Sequence, residues 1–181
     1  MSEVAIYRLR VELTQAPYED GEGVWRVIEI RGNQTMDQLH GAIVKAFTRW
    51  EDHLYSFFMS SDRRDKSKEY VSPFFCEEDE EREGLPQDAA SVRLDSLGLT
   101  TGSTFDYMFD YGDDWEHKLE VLGLSDEDPS HRYPRVAERH GASPPQYPES
   151  DEAYDDEPDE PPEEADGPRG RILPFPRTPS E

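Results

Sequence analysis

The chain has 181 residues, room for one ordinary core plus appendages, and its 42 acidic against 19 basic residues give a formal net charge of −23. That field disfavours generic nucleic acid and anionic membranes as partners, because both are polyanions and no long basic run offsets it. A single cysteine, Cys76, excludes an internal disulfide and a thiol-built zinc site, and Met1-Ser2-Glu3-Val4 lacks the basic and apolar regions of a signal peptide, so a cytoplasmic protein without a membrane span is expected.

From Val4 to Leu13, the apolar Leu9, Val11 and Leu13 interleave with Arg8, Arg10 and Glu12, the period of two that marks a half-buried strand. Val24 to Arg31 forms a second strand, and the Pro17, Gly21 and Gly23 between them suit the loop of an antiparallel hairpin. Thr35-Met36-Asp37-Gln38 reads as a capping box opening a helix. Leu39, Ile43, Ala46, Phe47 and Trp50 then recur at spacings of three and four, which predicts an apolar stripe lying across one face of the sheet. His53 to Ser60 is an aromatic strand.

Glu77 to Glu83 has no apolar residue, and an exposed acidic insertion is expected over about 77–90. Val92 to Leu99 predicts a short helical turn ended by Gly98. The final hairpin spans Phe105 to Val121. If Leu119 and Val121 share a buried face with Phe105, Tyr107 and Phe109, then Phe109 pairs with Trp115, Tyr107 pairs with His117, and Asp110 to Asp114 form the loop. After Leu124 the pattern dissolves. Glu149 to Asp166 holds eleven acids and no Lys or Arg, so residues 149–181 are expected to be a disordered acidic, proline-rich tail. Residues 1–148 form the expected domain, itself acidic, with thirty acids against sixteen bases.

The ordered set Tyr7-Arg8-Leu9-Arg10-Val11, Val24-Trp25-Arg26-Val27-Ile28-Glu29-Ile30, Thr35-Met36-Asp37-Gln38-Leu39-His40, His53-Leu54-Tyr55-Ser56-Phe57 and Phe109-Asp110-Tyr111-Gly112-Asp113-Asp114-Trp115-Glu116-His117 closely resembles one family. It is similar to the plasmid pRiA ORF-three-like proteins, whose members also carry insertion-element passenger or TnpR-like labels. The resemblance covers roughly Val4 to Pro148. It implies an α+β fold, a mixed and largely antiparallel sheet with a helix packed on one face in the manner of a β-grasp. This chain departs from the family pattern at two places. Trp25-Arg26-Val27 stands where Trp is often followed by two arginines, and Ser143-Pro144-Pro145-Gln146-Tyr147 stands where Cys-Pro-Pro-Glu-Asp often precedes a last helix.

Several residues are candidates for a site. Asp110, Asp113 and Asp114, with Glu116 and His117 nearby, have the hard oxygen donors that magnesium or manganese takes, and such an ion activates water for phosphoryl transfer. The competing reading is a tight turn, in which Asp side chains cap free amides and Gly112 adopts positive φ. His40, His53 and His117 are possible zinc ligands, with structural hydrogen bonding the simpler role for each. Trp25 and Arg26 form a candidate anion reader. Tyr111 and Trp115 complete the candidate binding set.

The reading these residues favour is a non-enzymatic binding or accessory module without a cofactor, whose aromatic sheet face and Asp110–Trp115 loop contact a protein or peptide, a basic one fitting the acidic charge best. A metal-dependent enzyme acting on nucleic acid or nucleotides is one alternative. A DNA-associated resolvase accessory, carried by the TnpR-like label alone, is the other.

Overall fold

The computed structural model describes residues 4–17, 23–50, 53–76 and 84–147. The expected tail and the acidic run 77–83 lie outside them. Among these residues the architecture is mixed α+β, with one eight-stranded, mostly antiparallel sheet and one α-helix. The strands are β1 (Ile6–Gln15), β2 (Trp25–Arg31), β3 (Tyr55–Phe58), β4 (Glu69–Val71), β5 (Gln87–Asp88), β6 (Thr104–Phe109), β7 (Trp115–Ser125) and β8 (Arg135–His140). Their order across the sheet is β5-β4-β3-β6-β7-β1-β2-β8, and only β4 and β5 run parallel.

Alternation along the strands decides which face is buried. In register, Tyr55, Phe109 and Trp115 form one row, and Phe57, Tyr107, His117 and Leu13 form the next. Phe105, Leu119, Val11 and Arg26 form a third. Phe109 pairs with Trp115 and Tyr107 with His117, as the burial argument required. The outward face of β1 is a ladder of ion pairs, Arg8 to Glu29 and Glu138 and Arg10 to Glu12.

The helix α1 (Met36–Ala46) lies over the buried rows. The expected capping box is present, with the Gln38 amide donating to Thr35 Oγ1 and the Thr35 amide donating to Gln38 Oε1. The next two orphan amides, Met36 and Asp37, donate to the carbonyls of Val92 and Ala89, so the loop after β5 closes the helix start. Leu39, Ile43 and Phe47 are buried with Leu9, Val11, Phe105, Tyr107 and Phe109. Trp50 is 70% exposed and is not part of the stripe. The helix has ended by then, and Thr48 turns the chain away with φ 57.

Gly98 ends the short 3-10 turn Leu94–Leu97 in the left-handed region, φ 65. Three strands, β4, the two-residue β5 and β8, had no clear signal in the sequence. β4 has three residues, and β8 carries one large apolar residue, Val136, so neither shows a period. β8 is held instead by pairing with β2 and by Arg139, whose guanidinium donates to the Ala46 carbonyl at 2.6 Å. Residues 84–90 are also structured, with Gln87–Asp88 paired to β4 and Ala89 buried.

One helix about 10–12 Å across cannot cover a sheet of eight strands spaced ~4.8 Å apart. Grooves therefore flank it. The larger lies on the β3 side, beside the end of the sheet where the Asp110 loop sits.

Candidate functional site

Among the described residues, Asp110 to Asp114 form a closed turn. The Asp113 and Asp114 amides donate to the Asp110 carbonyl at 3.2 and 2.7 Å, and the Asp110 side chain accepts the Gly112 amide at 3.0 Å. Gly112 does not take the positive φ expected of it; Asp110 (φ 61) and Asp114 (φ 52) do. Aspartate tolerates this region because its short carboxylate bonds locally, so the chirality change falls at the ends of the turn. Asp110 is buried, Asp113 half-buried and Asp114 exposed. No three His, Cys, Asp or Glu residues among those described are grouped so as to hold a metal ion.

The three candidate histidines occupy different surroundings. His117 is buried in the central rows, where Arg49 Nη1 donates to its Nε2 at 2.9 Å. Since a guanidinium only donates, this nitrogen is an acceptor and the ring is neutral. Burial, then the Arg49 charge, pushes the His117 pKa well below its ordinary value. Arg49 is buried too, over the Trp115 ring at 4.0 Å and the Phe47 ring at 5.0 Å. Burial lowers its pKa to about 10. Trp115 and His117 thus form an anchor for the chain leaving the helix.

His40 reaches from α1 to β6, where Nδ1 is hydrogen-bonded to the Tyr107 hydroxyl at 2.8 Å. Its ring stacks on Tyr55 at 3.7 Å, and burial pushes its pKa down to about 3. The Tyr55 hydroxyl donates to Asp37 Oδ1 at 2.5 Å. Burial first, and then this bond, raises the Tyr55 pKa. His53 stands at the rim, with Nδ1 3.3 Å from Asp110 Oδ2 and Nε2 2.6 Å from the Tyr147 hydroxyl.

Asp37, His40, His53 and Tyr55 line one side of the flanking groove, a cleft of about 650 Å³. Ser72, Pro73 and Phe74 line the other, from the 3-10 turn Pro73–Phe75. Phe74 is 94% exposed. Phe75 is 53% exposed and points the other way, edge-on to Tyr111 and into a second cleft of about 340 Å³ that includes Lys66 and Glu69. The Tyr111 hydroxyl is hydrogen-bonded to Ser56 Oγ at 2.5 Å, and Ser56 donates to Glu69 at 2.9 Å.

Trp25 and Arg26 are remote from the cleft in role and in environment. Trp25 lies on the outward sheet face, stacked on His140 and under Arg10. Arg26 is buried on the helix side, where it donates to the carbonyls of Ala46, Trp25, His140 and Gly141. Through Nε and Nη1 it caps the helix C-terminus.

Phe74, Phe75, Asp37 and Tyr147 were not singled out by sequence reasoning as site residues. A signal was available in Ser72-Pro73-Phe74-Phe75, because two successive aromatics after a proline do not both face one core.

The model of the family described as "Plasmid pRiA4b ORF-3-like protein" matches residues 5–168. The chain belongs to that family. Its fold is also similar to the crystal structure of MM3350, a protein of unknown function from Methanosarcina mazei Go1, with TM-score 0.60 and 20% identity over 80% of this chain and 74% of that one. At that identity the likeness concerns the fold. A comparison with curated proteins finds no match. No helix among the described residues is long and apolar enough to cross a membrane.

Proposed function

We propose that this pRiA4b ORF-3-like chain is a non-enzymatic binding module of the cytoplasm, whose partner is a protein or peptide seated on the rim of the Asp37–Phe74 cleft. The observation that carries this is Phe74, a phenylalanine 94% exposed at the mouth of a cleft, with Phe75 and Tyr111 exposed at the second cleft and Tyr147 exposed beside His53 at the rim. Single exposed apolar residues are ordinary, whereas a cluster of aromatics beside concave surface is the composition of a protein contact. The expected aromatic sheet face does not make the contact, because Phe105, Tyr107 and Phe109 are buried.

The geometry favours binding over the metal-dependent alternative. Asp110 is committed to a turn amide and to His53, and it does not converge with Asp113 and Asp114 on one point. The resolvase-accessory reading gains no observation of its own.

Selection of peptides from a displayed random library on the purified protein tests the proposal. Convergent sequences are expected, with binding lost on the Phe74→Ser/Phe75→Ser variant while its melting temperature is unchanged. Failure to enrich any sequence, or equal binding by the variant, would overturn it.

A further inference from the structure

Phe74, Tyr55 and His40 give the cleft aromatic walls, while Asp37 gives it a carboxylate, and none of its described lining residues is Lys or Arg. Asp37 Oδ1 already accepts the Tyr55 hydroxyl. Its other oxygen retains acceptor capacity, and the half-buried position strengthens whatever that oxygen binds relative to bulk water. The N-terminus of α1 supplies a partial positive charge of roughly one half, which offsets Asp37 only in part. A second acid, Asp110, stands behind His53. The cleft therefore has negative character, aromatic faces and a half-open mouth.

We infer that this cleft holds the guanidinium of an arginine side chain, presented by the partner polypeptide. The inference rests on the binding reading above and gives it a chemical class. Arginine suits the site better than lysine for three reasons. Its planar cation stacks on an aromatic ring such as Phe74, it sheds water more readily than an ammonium, and its fork of donors meets a carboxylate side-on. The acidic balance of residues 1–148 would speed the encounter with a basic segment.

The test uses the full chain and two small probes, N-acetyl-arginine methylamide and the neutral isostere N-acetyl-citrulline methylamide, followed by amide chemical shifts. The arginine probe is expected to move the resonances of Asp37, Gly41 and Phe74, with an affinity about tenfold or more above that of citrulline. Asp37→Asn keeps the acceptor for Tyr55 and should erase most of this preference. Phe74→Leu should weaken both probes while leaving the preference for charge. Equal binding of the two probes, perturbations elsewhere, or an arginine preference untouched in Asp37→Asn would overturn the inference. The two readings fail separately: library peptides that need Phe74 but ignore a citrulline replacement sink the arginine assignment and leave the binding module standing.

Discussion

The family motif from Asp110 to His117 is divided between two regions that obey different rules. Its C-terminal half, Trp115 and His117, lies in the covered centre of the sheet, where Arg49 donates to His117 and lies over the Trp115 ring. Its N-terminal half lies at the rim, where Asp110 closes a turn and Tyr111 sits beside exposed aromatics. A short motif therefore combines an anchor with a turn that borders exposed aromatics, and substitutions in the anchor should cost more stability than those in the turn.

Truncating the anchor should have the largest effect. Trp115→Ala removes a fully buried indole that also supports Arg49, so a loss of about 3–5 kcal/mol is expected in urea unfolding. A loss below about 1 kcal/mol would break the division.

Acid should weaken the centre next. His40 has its folded pKa pushed from 6.5 down to about 3, so the unfolded chain binds the extra proton between those values. Stability contributed by the neutral ring is complete above pH 6.5 and is lost as the pH falls toward 3, by up to about 3–5 kcal/mol. His117 adds a loss of the same sign. Urea unfolding between pH 7 and 4 measures it, and His40→Gln should flatten the slope.

At the rim, two neighbouring substitutions should part company. Asp110→Ala loses a turn acceptor and places alanine at φ 61, at a cost of about 1–3 kcal/mol. Gly112→Ala should cost under about 1 kcal/mol, since its φ is not positive and the added Cβ meets only Asp110 Oδ1 at 3.3 Å. Reversal of that order would restore the expectation that glycine carries the turn. The smallest stability effect belongs to Phe74→Ser, within about 0.5 kcal/mol by thermal unfolding, because the ring is already in water.

Sequence by itself determined the parts whose signals are local or periodic. The alternation in β1 and β2, the Thr35 capping box, the stripe Leu39, Ile43 and Phe47, the Gly98 cap and the β6–β7 register all follow from side-chain period and terminal hydrogen bonding. Tertiary structure decided what depends on partners far along the chain. Arg26 became a helix cap because Ala46 and His140 converge on it, and Arg49 became buried because Trp115 and His117 supply its contacts. β8 exists through backbone pairing to β2 and an arginine bond, neither of which leaves a hydrophobic period to read. The cleft likewise arises from one helix on a wide sheet, a matter of spacing between elements that no short stretch of residues encodes.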